Sequence, residues 1–110
     1  MILRTWRGRT LIEDKDRYLS YLQETGVKEC KATAGNQGVF VVWREREGQA
    51  EFLFLSLWDS MHAVERFAGS SPNVAVFYPQ DEEYLVEKDL HADHYEILEA
   101  PAVSGEGNGR

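Results

Sequence analysis

Along residues 2–9 apolar and polar positions alternate with no helical period and no acid or proline. This predicts a strand with Ile2, Arg4 and Trp6 on one face and Leu3, Thr5 and Arg7 on the other. Thr10-x-x-Glu13 has the spacing of a capping box, and Tyr18, Leu19 and Leu22 then form one apolar stripe up to Gly26. A first helix over about residues 11–25 follows from these signals. "AGNQG" (34–38) is turn chemistry, and it leads into "VFVVWRERE", the turn Glu47-Gly48 and "AEFLFLSLW", which together read as a hairpin. Both hairpin strands are apolar on both faces, with Val39, Val41 and Trp43 opposed to Phe40 and Val42, and Phe52, Phe54 and Trp58 opposed to Leu53, Leu55 and Leu57. A sheet with one wet face alternates apolar with polar, so something must cover the second face. In so short a chain the natural cover is a second copy, and a homodimer is expected.

Asp59 or Ser60 caps a second helix with Met61, Val64, Phe67 and Ala68 as its core stripe and Gly69 as its end. Ser71-Pro72 predicts a short helix running to about Tyr78-Pro79. Asp81-Glu82-Glu83 reads as a solvated turn or single helical turn, residues 91–99 as a strand, and residues 101–110 as a disordered tail. The order β-α-β-β-α-β predicts an α+β, ferredoxin-like domain over residues 1–100, with a four-stranded antiparallel sheet in the order 4-1-3-2.

Composition fits that picture. The chain has 110 residues, 43% hydrophobic and 28% charged, enough for one domain with a core of its own. It has no apolar run of the roughly 18 residues that would suggest a membrane span. Arg4, Arg7 and Arg9 interrupt the place where an export signal would need apolar residues, and the single Cys30 has no disulfide partner, so a cytoplasmic protein is expected. A net charge of −7 argues against a nucleic-acid partner. The charge is unevenly placed: Asp81, Glu82, Glu83, Glu87, Asp89, Asp93, Glu96 and Glu99 face only Lys88, while residues 1–9 carry three arginines and no acid. If the last strand lies beside the first, these charges meet across a ladder, at roughly 0.2–1 kcal/mol per pair.

"FLFLSLWDSMHAVERFAG" (52–69), "TAGNQGVFVV" (33–42) and "HYEIL" (94–98) resemble the antibiotic biosynthesis monooxygenase superfamily, whose members are dimeric α+β barrels. The resemblance implies a sheet packed on its partner's sheet and a ligand cavity between sheet and helices. It spans cofactor-free oxygenases of aromatic polyketides and haem-degrading enzymes, and fold does not choose between them. The haem-degrading branch places a histidine about ten residues after an aromatic on the second helix and an asparagine on the first strand. Here the position reached from Phe67 is Phe77 and the first strand has no asparagine, so haem is disfavoured, with His62, His91 and His94 left as ligands from elsewhere.

In the cofactor-free branch an ionised phenol or enol passes an electron to O2, which calls for a base and a dry aromatic pocket. Trp6, Phe40, Trp43, Phe54, Trp58, Phe77 and Tyr78 supply aromatics, although core packing accounts for any one of them. Ser56 leaves room between Phe54 and Trp58, and Trp6, Ser56, Trp58 and Tyr78 are the expected substrate-binding set. His62, beside Glu65 and Arg66, belongs to a solvated helix face. In "LHADHYEIL" (90–98), strand alternation sends His91 and His94 to opposite faces, so no metal site is expected. His94 remains as the candidate base, facing either the cavity or the dimer seam. The expected function is a cofactor-independent monooxygenase acting on a small aromatic or enolic substrate. The alternatives are a small-molecule or haem binding protein without turnover and a purely structural dimer module.

Overall fold

Strand β1 (Ile2–Leu11) is the axis of the sheet, because both of its edges are used. The computed structural model of the chain describes residues 1–101. On one edge β3 (Gln49–Trp58) runs antiparallel to β1, from Ile2 opposite Trp58 to Leu11 opposite Gln49, and β2 (Asn36–Arg46) pairs with the outer edge of β3. On the other edge the chain returns twice: β4 (Leu85–Lys88) lies against Gly8–Thr10 and β5 (Asp93–Glu96) against Ile2–Thr5. The expected 4-1-3-2 order is therefore present with β5 as the last strand, and β4 is an additional strand on the same edge of β1. The result is an open five-stranded antiparallel sheet of an α+β, ferredoxin-like fold. The β2–β3 hairpin turns at Glu47 and Gly48, both at positive φ (55° and 77°), which suits the right-handed twist of the strands.

Helices α1 (Lys15–Glu24), α2 (Gly26–Ala32) and α3 (Met61–Ala68) cover one face, and α4 (Asp81–Tyr84) adds a single turn. Tyr18, Leu22 and Val27 pack on Ala50 and Phe52, while Cys30, Ala63 and Val64 enclose Trp58, which is 0% exposed. Phe54 and Val39 pack against both clusters. Ser60 caps α3 by accepting from the Ala63 N–H at 3.2 Å, as its sequence predicts. Among the described residues no helix is long and apolar enough to cross a membrane.

Several expectations are corrected. The capping box at Thr10 does not form: β1 continues to Leu11 in register with Gln49, the Thr10 hydroxyl donates to the Leu11 carbonyl, and α1 begins only at Lys15. Pairing with β3 outcompetes the local signal. Gly26 does not end the helical region but starts α2, and it is glycine because a Cβ would lie 3.0 Å from the Phe54 ring. Cys30 is on that helix and buried. The helix predicted from Ser71-Pro72 is absent. Residues 72–77 are irregular, held instead by a bridge between Val74 and His91 and by Ala75 N–H to Leu90 O and Ala92 N–H to Asn73 O. The strand expected over 91–99 is confined to β5, and β4 is an additional strand. The predicted tail lies outside the described residues apart from Pro101.

The far face of the sheet has two zones. At one end Arg7 reaches Glu87 and Asp89 at 3.2 and 3.1 Å, Arg9 reaches Glu51 and Glu47 at 3.2 and 2.8 Å, and Arg44 takes the other oxygen of Glu51 at 3.0 Å. The expected pairing of arginine-rich β1 with acids is met for Arg7 and Arg9, with β3 supplying Glu51. Elsewhere this face carries exposed apolar groups: Phe40, 56% exposed, with Val42 and Leu53 on the β2–β3 hairpin, and Tyr95, also 56% exposed, on β5 opposite Leu3.

Burial pushes the Glu51 carboxyl up, but the Arg44 and Arg9 guanidiniums push it further down, so its net value lies below the ordinary 4.5. A carboxylate lowered in the folded state contributes stability that is complete above its unfolded value and is lost as pH falls through the folded one. Urea midpoints of the wild type should therefore drop below about pH 4.5, and Glu51→Gln should start lower at neutral pH and show a shallower acid decline. Parallel acid declines in the two proteins would remove Glu51 from this role.

Candidate functional site

Between the helix-facing side of the sheet and the irregular segment 72–78 lies a cavity. Its floor is Arg4 and Trp6 from β1 and Phe54 from β3; Tyr18, Leu22 and Gly26 close one side. Phe67, Ala75, Val76, Phe77, Tyr78 and Asp81 complete the enclosure. The depression, mouth included, encloses about 490 Å³, and the cavity inside it is about 40 Å³. That admits a few waters, so a ring-sized ligand requires the lining residues Ala75, Val76, Phe77 and Tyr78 to move outward. Trp6 is fixed by its indole N–H, which donates to Asp89 O at 2.7 Å, and by an edge-on contact with Phe77 at 6.0 Å between centroids.

Arg4 is a guanidinium on an otherwise apolar strand face, 5% exposed. Its Nη1 donates to Pro72 O and to His94 Nε2 at 3.0 Å, and its Nη2 donates to Val74 O at 3.3 Å. The Phe67 ring lies 5.8 Å from the guanidinium carbon. Because an arginine offers only donors, His94 Nε2 must be the acceptor, which places the imidazole proton on Nδ1, facing Asn73 Oδ1 at 3.1 Å. Desolvation and then the Arg4 charge lower the His94 pKa, which keeps the ring neutral.

Asp81 opens the single turn α4, and it is buried, not solvated as its acidic neighbourhood suggests. Tyr18 donates its hydroxyl to Oδ1 at 3.1 Å, and the Tyr78 N–H donates to Oδ2 at 2.6 Å. Burial raises the Asp81 carboxyl above its ordinary value against the opposing pull of the Tyr78 N–H, Tyr18 and Lys88. Burial likewise raises the Tyr78 phenol to about 12. A carboxylate in a dry, aromatic surround with a raised pKa is a candidate proton acceptor.

Of the expected substrate-binding residues, Trp6 and Tyr78 line the cavity. Ser56 and Trp58 do not line it: Trp58 Nε1–H donates to Ser56 Oγ at 2.8 Å within the core. His94 sits on the helix-facing side, one layer behind Arg4, and does not line the cavity. His91 is exposed beside Val74, and His62 is solvated, its side chain 89% exposed as expected. Phe40 is on the opposite face, and Trp43 lies under Lys15, whose Nζ is 4.2 Å from the ring. Among the described residues no group of three or more His, Cys, Asp or Glu is placed to hold a metal ion. The residues missed from sequence are Arg4 and Asp81. For Arg4 the signal was present, a charge sharing its strand face with Ile2 and Trp6.

No family model and no curated relative matches the chain. Solved structures do. A Bacillus cereus protein assigned to antibiotic biosynthesis monooxygenases superposes with a TM-score of 0.67 at 15% identity, covering 94% of this chain and 96% of that one. The chain has the fold of that protein. Two further structures share it. One is a single-residue mutant of MhuD with two manganese protoporphyrin IX molecules bound per active site (TM-score 0.59, 11% identity, 94% of this chain and 100% of that). The other is Rv0793 from Mycobacterium tuberculosis (TM-score 0.56, 15% identity, 93% and 100%). At these identities the likeness concerns the fold, and the chemistry must be argued from the site.

Gly8 is what lets Trp6 lie across the sheet into the cavity. A Cβ there would come within 2.4 Å of the Trp6 ring and 3.0 Å of Leu85. Because the indole is tied to Asp89 it cannot yield freely, so Gly8→Ala should cost about 1–3 kcal/mol by urea unfolding and shift the tryptophan emission. An unchanged midpoint would mean that Trp6 is not held where it is.

Proposed function

We propose that the protein is a cofactor-independent monooxygenase-type protein that takes a small aromatic or enolic substrate into the cavity between sheet and helices and oxidises it with O2. The observation that carries this reading is the buried Asp81 carboxylate in a cavity whose other walls are aromatic and aliphatic groups and the Arg4 guanidinium. Asp81 accepts the proton of a phenol or enol. The substrate anion gives one electron to O2, and substrate radical and superoxide join in a carbon–oxygen bond. The peroxide so formed regains a proton and loses water, leaving a carbonyl. Trp6, Phe54, Phe77 and Tyr78 hold the ring and exclude water, and Ser56 and Trp58 support Phe67 and Phe54 from behind. His94 acts through Arg4, since the nitrogen a base would use accepts from that guanidinium. The exposed apolar groups of the far face, Phe40, Val42 and Leu53 on the hairpin and Tyr95 on β5, support a homodimer formed face to face through the sheets.

A second reading is binding without turnover, favoured by the narrowness of the cavity. Haem, carried by the MhuD structure in its manganese form, does not fit the residues present. The described lining residues include no histidine, cysteine or methionine; of the two tyrosines, Tyr18 is engaged with Asp81, and burial keeps the Tyr78 phenol protonated, raised to about 12.

Oxygen uptake with a panel of anthrones and quinols tests the primary reading. Wild type should consume O2 with at least one of them, and Asp81→Asn should lose on the order of 10²-fold or more in rate while keeping its circular dichroism. A fully active Asp81→Asn would contradict the assignment. Uptake by none of the panel, together with saturable binding of one of its members, would favour the second reading.

A further inference from the structure

Arg4 differs from the other arginines of β1 in one respect. Arg7 and Arg9 each meet carboxylates. Arg4 is more deeply enclosed than Arg7 and, among the described residues, meets none: its acceptors are two backbone carbonyls and a neutral imidazole. Cys30 does not balance it, because burial pushes that thiol up to about 12 and leaves it protonated. Nor does Asp81, which lines the same cavity but bonds to Tyr18 and Tyr78, the cation acting on it being Lys88. Burying a charge without a counter-charge is costly, and removal from water is the main influence on Arg4 here. Three of its five N–H groups are used, so donors remain for a ligand in the cavity that Arg4 lines.

Resting on the reading that this cavity is the binding site, we propose that its ligand is an organic anion, a flat ring compound whose negative oxygen pairs with the buried Arg4 guanidinium. The carbonyls of Pro72 and Val74 and the Nε2 of His94 hold the guanidinium in place, while Phe67 and Trp6 offer faces for the ring. The missing negative charge is thus supplied by the ligand, as an ionised enol or as a carboxylate substituent. The same contact favours ionisation of a substrate that enters neutral, and so cooperates with proton removal by Asp81.

Isothermal calorimetry with two matched pairs tests this: 2-hydroxy-1,4-naphthoquinone, ionised at neutral pH, against its neutral 2-methoxy analogue, and 2-naphthoate against 2-naphthamide. Wild type should bind the anionic member of at least one pair ten-fold or more tightly than its neutral partner, the pair concerned telling enolate from carboxylate. Arg4→Gln should lose that preference, the ratio of the two affinities falling toward one. Because the wild-type comparison needs no variant, a poorly folding Arg4→Gln leaves the test intact, and Arg4→Lys should then keep part of the preference. Neutral members bound equally well or better in both pairs would overturn the proposal while leaving the cavity reading standing. A preference that survives in folded Arg4→Gln would also overturn it. Binding of none of the four would remove both. Neither result depends on turnover, so failure of oxygen uptake is a separate finding.

Discussion

A full positive charge on the apolar face of a sheet constrains everything around it, and in this protein that charge is Arg4. Water cannot solvate it there, so the surrounding chain must. The segment after α3 gives up helical hydrogen bonding to point the Pro72 and Val74 carbonyls at the guanidinium. The short strand β5 places His94 directly opposite Arg4 in the ladder, with the nitrogen lone pair turned toward it. Arg4 itself lines the cavity, and these acceptors stand behind it. Stability and recognition are therefore joined at one side chain.

The two faces of β1 illustrate how the same residue type acquires different roles. Period-two alternation sends Arg7 and Arg9 to the far face, where Glu87, Asp89, Glu47 and Glu51 neutralise them close to solvent. It sends Arg4 inward, among Phe67, Ser56 and Trp58. Opposite charges on the far face satisfy one another and require no ligand. The inward charge is left to neutral acceptors, which is why a functional reading settles on it and not on the more conspicuous acid-rich run near the C-terminus.

Much of the fold was legible because its signals are local or periodic: the alternation in β1, Glu47-Gly48 between two β-rich runs, the Ser60 cap. The misreadings have a common physical cause. Ser71-Pro72 is a good helix start, but bridging to His91 and solvating Arg4 are long-range demands that override it. Asp81 reads as solvated because three acids run together, and only the fold brings the Tyr18 hydroxyl, 63 residues away in sequence, onto it. Ser56 and Trp58 share a strand face with Phe54, yet they lie beneath the cavity instead of in it, since alternation assigns a face and not a depth. For His94 the sequence left the two faces open, and its partner Arg4 could be paired with it only once the β1–β5 register was known. A fold does not choose a chemistry, so the function rests on these particular side chains.

The direct test of the account is the protonation state of His94, read from its imidazole 15N shifts in the intact protein at neutral pH. An Arg4 guanidinium solvated by neutral acceptors requires a neutral ring with the proton on Nδ1 and a bare, hydrogen-bonded Nε2. An imidazolium, or a neutral ring protonated at Nε2, would mean that His94 does not accept from Arg4 and that the buried cation is held in some other way.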